Sequence, residues 1–273
     1  MAGYSVTTFK GVTSVCRFLG YLTREPATPA ELLPGDALGA FVSLSSENKD
    51  GWGFGWREEA DTLHVAKAPE PAQGSREFDR LARTLRTDSL VMHLRWATRG
   101  LGLDLEDTHP FLHAGRGTDR HSVFANNGAV MPVDALEDLV PAEKRGKLVG
   151  STDSERFFLA LLSVLESVSD EEEALRKLLR EVGARCSYTS LDCLLLTTGR
   201  MYAVCCYDAD NPEARYYLDR DPDYFKLWHR SSPGSFVVAS TGWRAHGGWE
   251  TLESGQALVV EQGTLDRKIL DVA

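Results

Sequence analysis

The chain has 273 residues, which at roughly 150 residues per domain makes one or two domains, long enough to bury about three-quarters of the surface of the unfolded chain. Hydrophobic residues make up 42% and charged residues 26%, with 24 Gly and 11 Pro, a usage that excludes disordered, collagenous and disulfide-scaffold proteins. The count of 30 Lys+Arg against 40 Asp+Glu leaves a formal charge of −10, so no phosphate-backbone footprint is present and nucleic acid is not the expected partner.

Residues 1–15, MAGYSVTTFKGVTSV, lack the continuous apolar stretch of a signal peptide, and Val15 is not the small residue that precedes a lipoprotein cysteine. No apolar run approaches the roughly 18 residues that span a bilayer, so no membrane association is expected. Beyond that segment the strand signals come early, over 16–21, 38–44, 52–56, 63–68, 90–96 and 123–125. One helix interrupts them over 75–86, with Phe78, Leu81, Ala82 and Leu85 on one face. A short helix and a loop follow over 132–148. Thr152-Asp153-Ser154-Glu155 then reads as a capping box ahead of Phe157, Phe158, Leu161, Leu162 and Leu165. A further helix over 170–182 opens on Glu171-Glu172-Glu173 and carries basic residues later, the order its dipole favours. Strands return over 191–197, 201–207, 236–240, 257–261 and 265–270. Strands, then helices, then strands imply segregated layers in one α+β domain.

The 5 Cys are an odd number, only Cys205-Cys206 are adjacent, and no CxxC pair offers a metal site. This usage suits a reducing, cytoplasmic compartment better than a disulfide framework. His93, His109, His113 and His121 invite a metal reading, but Pro110 argues against a ligand-presenting helix over 109–113, and neither metal nor cofactor is expected.

Four features carry chemistry, each with a plain structural reading beside it. Cys16 opens an apolar strand, where a thiol is ordinarily a small buried hydrophobe. If it were the first residue of the working chain it would own both a thiol and an α-amine, whose pKa of roughly 7.7–8.0 suits a general base. Val15 stands where a GTG start codon would be read as valine, so residues 1–15 are expected to be a leader or a mis-read start, with the working domain over 16–273. Arg95, within Met92-His93-Leu94-Arg95-Trp96-Ala97-Thr98, presents a fork suited to a carboxylate, or else makes a surface ion pair. Asn127-Gly128 closes a strand as an ordinary turn, or aims an amide and a backbone N–H at one oxyanion. Asp153 sits in the first turn of the capped helix, stabilised there by the dipole or kept for a substrate ammonium.

Taken together and in order, six blocks carry a resemblance: Cys16-Arg17-x-Leu19-Gly20-Tyr21, Asp50-Gly51-Trp52-Gly53-x-Gly55-Trp56, His93-x-Arg95-Trp96-Ala97-Thr98, Thr108-His109-Pro110-Phe111, Asn127-Gly128 and Thr152-Asp153-Ser154-Glu155. From Cys16 onward the chain resembles the class II glutamine amidotransferases among the N-terminal-nucleophile hydrolases, and within them the stand-alone type that includes the ergothioneine-pathway γ-glutamyl amidases. The resemblance implies a four-layer αββα sandwich, with two stacked antiparallel sheets covered by helices. It implies Cys16 as the nucleophile, its freed amine as base, Arg95 for a substrate α-carboxylate and Asp153 for the α-ammonium. Asn127 and Gly128 would hold the oxyanion, and Trp96, Thr98 and His109 would wall or support the pocket. The chain departs from many relatives at Asn126, where they have His, and at Thr241-Gly242-Trp243, where they have an acidic residue.

The activity so implied is hydrolysis of the side-chain amide of glutamine or of a γ-glutamyl small molecule through a thioester on Cys16. No synthase domain follows, so two alternatives stand beside it: a glutaminase feeding ammonia to a separate acceptor enzyme, or a non-catalytic amide-binding module if residues 1–15 are retained.

Overall fold

The computed structural model describes residues 16–33, 36–59, 62–98, 102–114, 121–243 and 247–273. The expected leader over 1–15 lies outside the described residues.

Strand Thr87–Arg95 shows how the layers arise. Its period-2 alternation sends Leu90, Met92 and Leu94 to one face and Val91 and His93 to the other. The strand pairs on one side with Arg17–Ala27 and on the other with Gly51–Glu59, all antiparallel. The whole first sheet runs Glu250–Leu252, Leu227–Ser232, Ser235–Ala239, Arg17–Ala27, Thr87–Arg95, Gly51–Glu59, Thr62–Ala68. The second runs Arg267–Asp271, Gln256–Glu261, Arg200–Cys205, Asp192–Thr197, Ser122–Asn127, Phe111–His113, again with antiparallel pairing throughout.

Three buried clusters fill the spaces between layers. Phe18, Val91, Val123, Ala125, Leu194, Leu196 and their neighbours lie between the sheets. Phe41 and Phe78, from helices Ala37–Ser43 and Arg76–Thr84, cover the outer face of the first sheet. Helices Asp153–Ser167 and Glu171–Arg185 cover the outer face of the second, where Phe158 stacks on Phe124 with centroids 5.0 Å apart. Each such buried Leu or Phe contributes about 1.5–3 kcal/mol. This is the αββα sandwich expected from the sequence.

Three local expectations need correction. Residues 38–44 form helix Ala37–Ser43 rather than a strand. Ala37 and Phe41 are the buried positions, four apart, and a short apolar run carries no periodicity strong enough to reveal that spacing. The capping box at Thr152 is only half made: its hydroxyl accepts from the Glu155 N–H at 3.3 Å, but the Glu155 carboxylate accepts instead from the N–H groups of Val149 and Gly150, at 2.9 and 2.8 Å. Strand Leu227–Ser232 and helix Pro212–Leu218, capped by Asn211, were not anticipated. Among the described residues no helix is long and apolar enough to cross a membrane.

Candidate active site

Cys16 lies just before strand Arg17–Ala27. Phe18 faces the second sheet and Arg17 the outside, so alternation turns the Cys16 side chain into the gap between the sheets. Its thiol is clamped by one residue of the neighbouring strand end: the Trp96 N–H donates to Sγ at 3.3 Å and the Trp96 carbonyl accepts from it at 3.4 Å. Burial pushes the thiol pKa up to about 11, against the opposing pull of that N–H and of the Arg95 and Arg17 charges. At neutral pH it is therefore a protonated thiol that needs a base. Arg17 donates to the Cys16 carbonyl at 3.1 Å and lies over the Tyr224 ring.

Arg95 ends its strand on the same inner face and is buried. One arm, Nη2, donates to the Gly102 carbonyl at 2.6 Å, while Nη1 has no hydrogen-bond partner among the described residues. Asp50 fixes the backbone on both sides of it, donating its N–H to the Arg95 carbonyl at 3.0 Å and accepting the Ala97 N–H at 2.9 Å. Thr98, one residue further on, is half-buried.

Strand Ser122–Asn127 of the second sheet faces this end. Asn127 is buried, and neither end of its side-chain amide has a partner among the described residues. The following residue must be glycine: at φ 152° a Cβ on Gly128 would overlap the Ser190 carbonyl. The turn expected at Asn127-Gly128 is not a tight hairpin, because Val130–Met131 pairs with Ser187–Tyr188 instead. Asn126 is tied down by Ser154 Oγ, which donates to its carbonyl oxygen Oδ1 at 3.0 Å, and by its own donation to the Asp192 carbonyl at 3.3 Å.

Asp153, at the first turn of the capped helix, points the same way. Its Oδ2 accepts the Val130 N–H at 2.7 Å, and its charge acts on the Cys16 thiol. Burial raises its carboxyl pKa above the ordinary value, opposed by the N–H groups of Val130 and Ser154. His109 stacks on His93 with centroids 4.4 Å apart, and burial holds its ring well below the ordinary pKa. Both of its ring nitrogens lack partners among the described residues. His93, with its pKa lowered to about 3 chiefly by burial, contacts the Asn126 carbonyl through Nε2 at 3.2 Å. Both rings are neutral spacers between the sheets at working pH. Gly53 leaves them room, since a Cβ there would overlap the His109 carbonyl.

The site residues expected from the sequence are Cys16, Arg95, Trp96, Thr98, Asn127, Gly128, Asp153 and His109; Cys16, Arg95, Trp96, Asn127, Gly128, Asp153 and His109 occupy one end of the inter-sheet gap, and Thr98 lies two residues beyond Trp96. Asp50, His93 and Asp192 were not anticipated as supports, although the first two lie inside the quoted blocks. Trp96 contributes its backbone N–H and carbonyl to the Cys16 thiol. At the divergent segment, Gly242 packs against Arg17, and Trp243 sits edge-on to Phe41 with centroids 5.5 Å apart. Among the described residues no three His, Cys, Asp or Glu side chains form a metal cluster.

The site is thus a buried thiol at the end of an αββα sandwich, beside buried polar groups that lack partners among the described residues. The sequence model of the class-II glutamine amidotransferases matches residues 37–271, and the chain belongs to that family. Cys16 lies ahead of the matched range. A gamma-glutamyl-hercynylcysteine sulfoxide hydrolase of Mycobacterium tuberculosis is 29% identical over 123 residues, covering 42% of this chain and 50% of that protein. The chain thus aligns with about half the length of this relative. Among solved structures, a glutamine aminotransferase class-II domain protein from Silicibacter pomeroyi superposes with a TM-score of 0.64 at 20% identity, covering 94% of this chain and 100% of that one. Glutamine phosphoribosylpyrophosphate amidotransferase from B. subtilis gives 0.59 at 15% identity, covering 94% and 49%. These two share the fold.

Proposed function

We propose that the protein hydrolyses the side-chain amide of a γ-glutamyl small molecule through a thioester on Cys16. The observation that carries this is the set of buried polar atoms left without partners among the described residues: Nη1 of Arg95 and both ends of the Asn127 amide, beside a buried thiol. Buried polar groups are ordinarily satisfied, and a glutamyl group supplies what these lack. Its α-carboxylate fits the free arm of Arg95, its α-ammonium fits Asp153, and its amide carbonyl fits Asn127.

In this reading the Cys16 thiol gives its proton to the α-amine of the same residue as sulfur bonds to the amide carbon. The oxyanion that forms is held by the Asn127 side-chain N–H and the Gly128 backbone N–H. The α-ammonium returns the proton to the leaving nitrogen, and ammonia or an amine departs. Water then attacks the thioester carbon, giving a proton to the α-amine; the carbon–sulfur bond breaks, the α-ammonium returns that proton to the Cys16 thiolate, and the γ-carboxyl product leaves as its carboxylate with its own proton lost to solvent. The scheme needs Cys16 at the chain terminus, so residues 1–15 are proposed to be removed or never made, leaving 16–273 as the working domain. That the mycobacterial relative is a gamma-glutamyl-hercynylcysteine sulfoxide hydrolase favours release of a γ-glutamyl group as the purpose over supply of ammonia to a partner enzyme. All five cysteines are free thiols, which supports the cytoplasmic address expected from the sequence.

N-terminal sequencing of active protein, combined with labelling by a glutamine-mimicking diazoketone, tests the proposal. The expected result is a chain beginning at Cys16 that takes up one label on that residue and loses all activity. Full activity in a chain that begins at Met1 overturns it. A chain that keeps residues 1–15 and binds γ-glutamyl amides without turnover is the binding module instead.

A further inference from the structure

Strand Asp192–Thr197 pairs antiparallel with Ser122–Asn127, and its first residue stands directly opposite the last: Asn127 faces Asp192 in register. Directly opposed residues project to the same face, with Cβ atoms about 4.5–5.5 Å apart. Both side chains are fully buried. All but one of the polar atoms of Asp192 are accounted for. Oδ1 accepts the Cys206 N–H at 2.8 Å, its own N–H donates to Ser190 Oγ at 2.9 Å, and its carbonyl accepts from Asn126 Nδ2 at 3.3 Å. Only Oδ2 is left without a partner among the described residues, and across the pair so are both ends of the Asn127 amide.

An asparagine serves an oxyanion only when its NH2 end, not its carbonyl, faces the developing charge. Something must therefore choose between the two amide orientations, and no hydrogen bond among the described residues does so.

We propose that the Asp192 carboxyl is the positioning residue that orients Asn127, by donating an O–H from Oδ2 to the amide oxygen and leaving the NH2 end for the oxyanion. An ionised carboxylate would do the reverse, attracting the NH2 end and turning the carbonyl toward the reacting atom. Burial favours the acid: it raises the Asp192 pKa well above the ordinary carboxylate value and outweighs the opposing pull of the Cys206 N–H and of the Ser190 and Cys205 side chains, none of which is a cation. The same stretch also shapes the second oxyanion donor, because the Ser190 carbonyl is what requires glycine at 128. The segment 190–192 thus underlies both halves of the oxyanion site. The inference rests on the reading of Asn127 as an oxyanion donor.

A double-mutant cycle tests it, with kcat and KM measured on a chromogenic γ-glutamyl anilide. Asp192→Leu is expected to lower kcat about 30-fold with KM unchanged, a fraction of what loss of a whole donor costs. In an Asn127→Ala background the same change is expected to cost less than about twofold, because the amide it orients is gone. Asp192→Asn keeps a donor in place and is expected to hold kcat within about threefold of the parent. Should Asp192→Leu fail to fold, Asp192→Ser, too short to reach Asn127, takes its place in the cycle with the same expectations. Equal losses in both backgrounds, or an Asp192→Asn loss as large as that of Asp192→Leu, overturns the proposal. An Asn127→Ala enzyme with normal kcat instead overturns the oxyanion reading beneath it, so the two failures are told apart.

Discussion

The two ends of the inter-sheet gap are built on the same strands and do opposite things. Toward one end the inward positions are Val91, Val123, Leu194 and Leu196, packed into the apolar cluster between the sheets. Two or four residues along the same strands they become His93, Arg95, Asn127 and Asp192, equally buried but polar and in part unpaired. The apolar end follows the ordinary rule that burial and satisfaction go together. The polar end sets that rule aside, and unpaired buried donors cost about 1–3 kcal/mol each unless a ligand completes them. A strand's alternation therefore fixes which face a residue occupies, while its distance along the strand fixes whether that face is core or site.

Changes at the polar end should cost activity, and changes at the apolar end should cost stability. The largest effect is expected from Cys16→Ser, which should lower turnover at least ~10³-fold with the melting profile unchanged. Turnover close to that of the parent removes Cys16 as the nucleophile. Asn127→Ala should lower kcat by roughly 10²–10³ with KM little changed, and an equal loss carried in KM would make Asn127 a ground-state contact. At the other end, Leu196→Ala should reduce stability to denaturant by about 2–5 kcal/mol, with kcat per folded molecule preserved. Loss of kcat without loss of stability there would erase the distinction between the two ends.

Asp153→Asn sharpens the comparison, because it separates charge from shape. If Asp153 pairs with the substrate ammonium as proposed, its replacement should raise KM roughly 10–100-fold. The unliganded protein should respond the other way. Burial raises the folded-state pKa of Asp153 above its unfolded value, so this group stabilises the fold below the unfolded pKa and loses that contribution as pH rises through the folded one. Asparagine has no such dependence. The variant is therefore expected to gain stability relative to the parent as pH rises through that window, measured by urea unfolding at stepped pH without substrate. A constant difference across pH would mean that Asp153 carries no burial penalty.

The layers were legible wherever a period ran long enough to count. Helix Asp153–Ser167 shows both a cap and a repeating apolar face, and strand Thr87–Arg95 carries the apolar run Leu90-Val91-Met92 that marks a strand buried on both faces. Residues 38–44 offered seven positions and no clear period, and they were read as a strand where the chain is helical. Within the site, family resemblance brought Cys16, Arg95, Asn127 and Asp153 to attention, but their supports stayed hidden. Asp50 holds the Ala97 N–H 47 positions away, and His93 meets the Asn126 carbonyl at a separation of 33. Partners so far apart in sequence leave no local pattern. The alternate glycines of Gly51-x-Gly53-x-Gly55 were a readable clue, since a strand that omits side chains on one face makes room for something crossing it. Here the crossing chain is the His109-Pro110 segment lying over Gly53.

The smallest effect concerns the start of the capped helix, where architecture and site share one turn. Thr152 accepts the Glu155 N–H, while the Glu155 carboxylate is already committed to Val149 and Gly150. Thr152→Ala therefore removes one cap bond and nothing reciprocal, and should cost about 1 kcal/mol of stability. Asp153 is held independently, by the Val130 N–H and by Ser154. Its carboxylate should keep its place when the cap is lost, leaving KM within about twofold of the parent. Urea unfolding and steady-state kinetics on the same preparation check both halves. A large rise in KM would show that the cap, rather than the strand segment at Val130, sets the position of the Asp153 carboxylate. The helix would then belong to the polar end of the gap as much as to the outer layer.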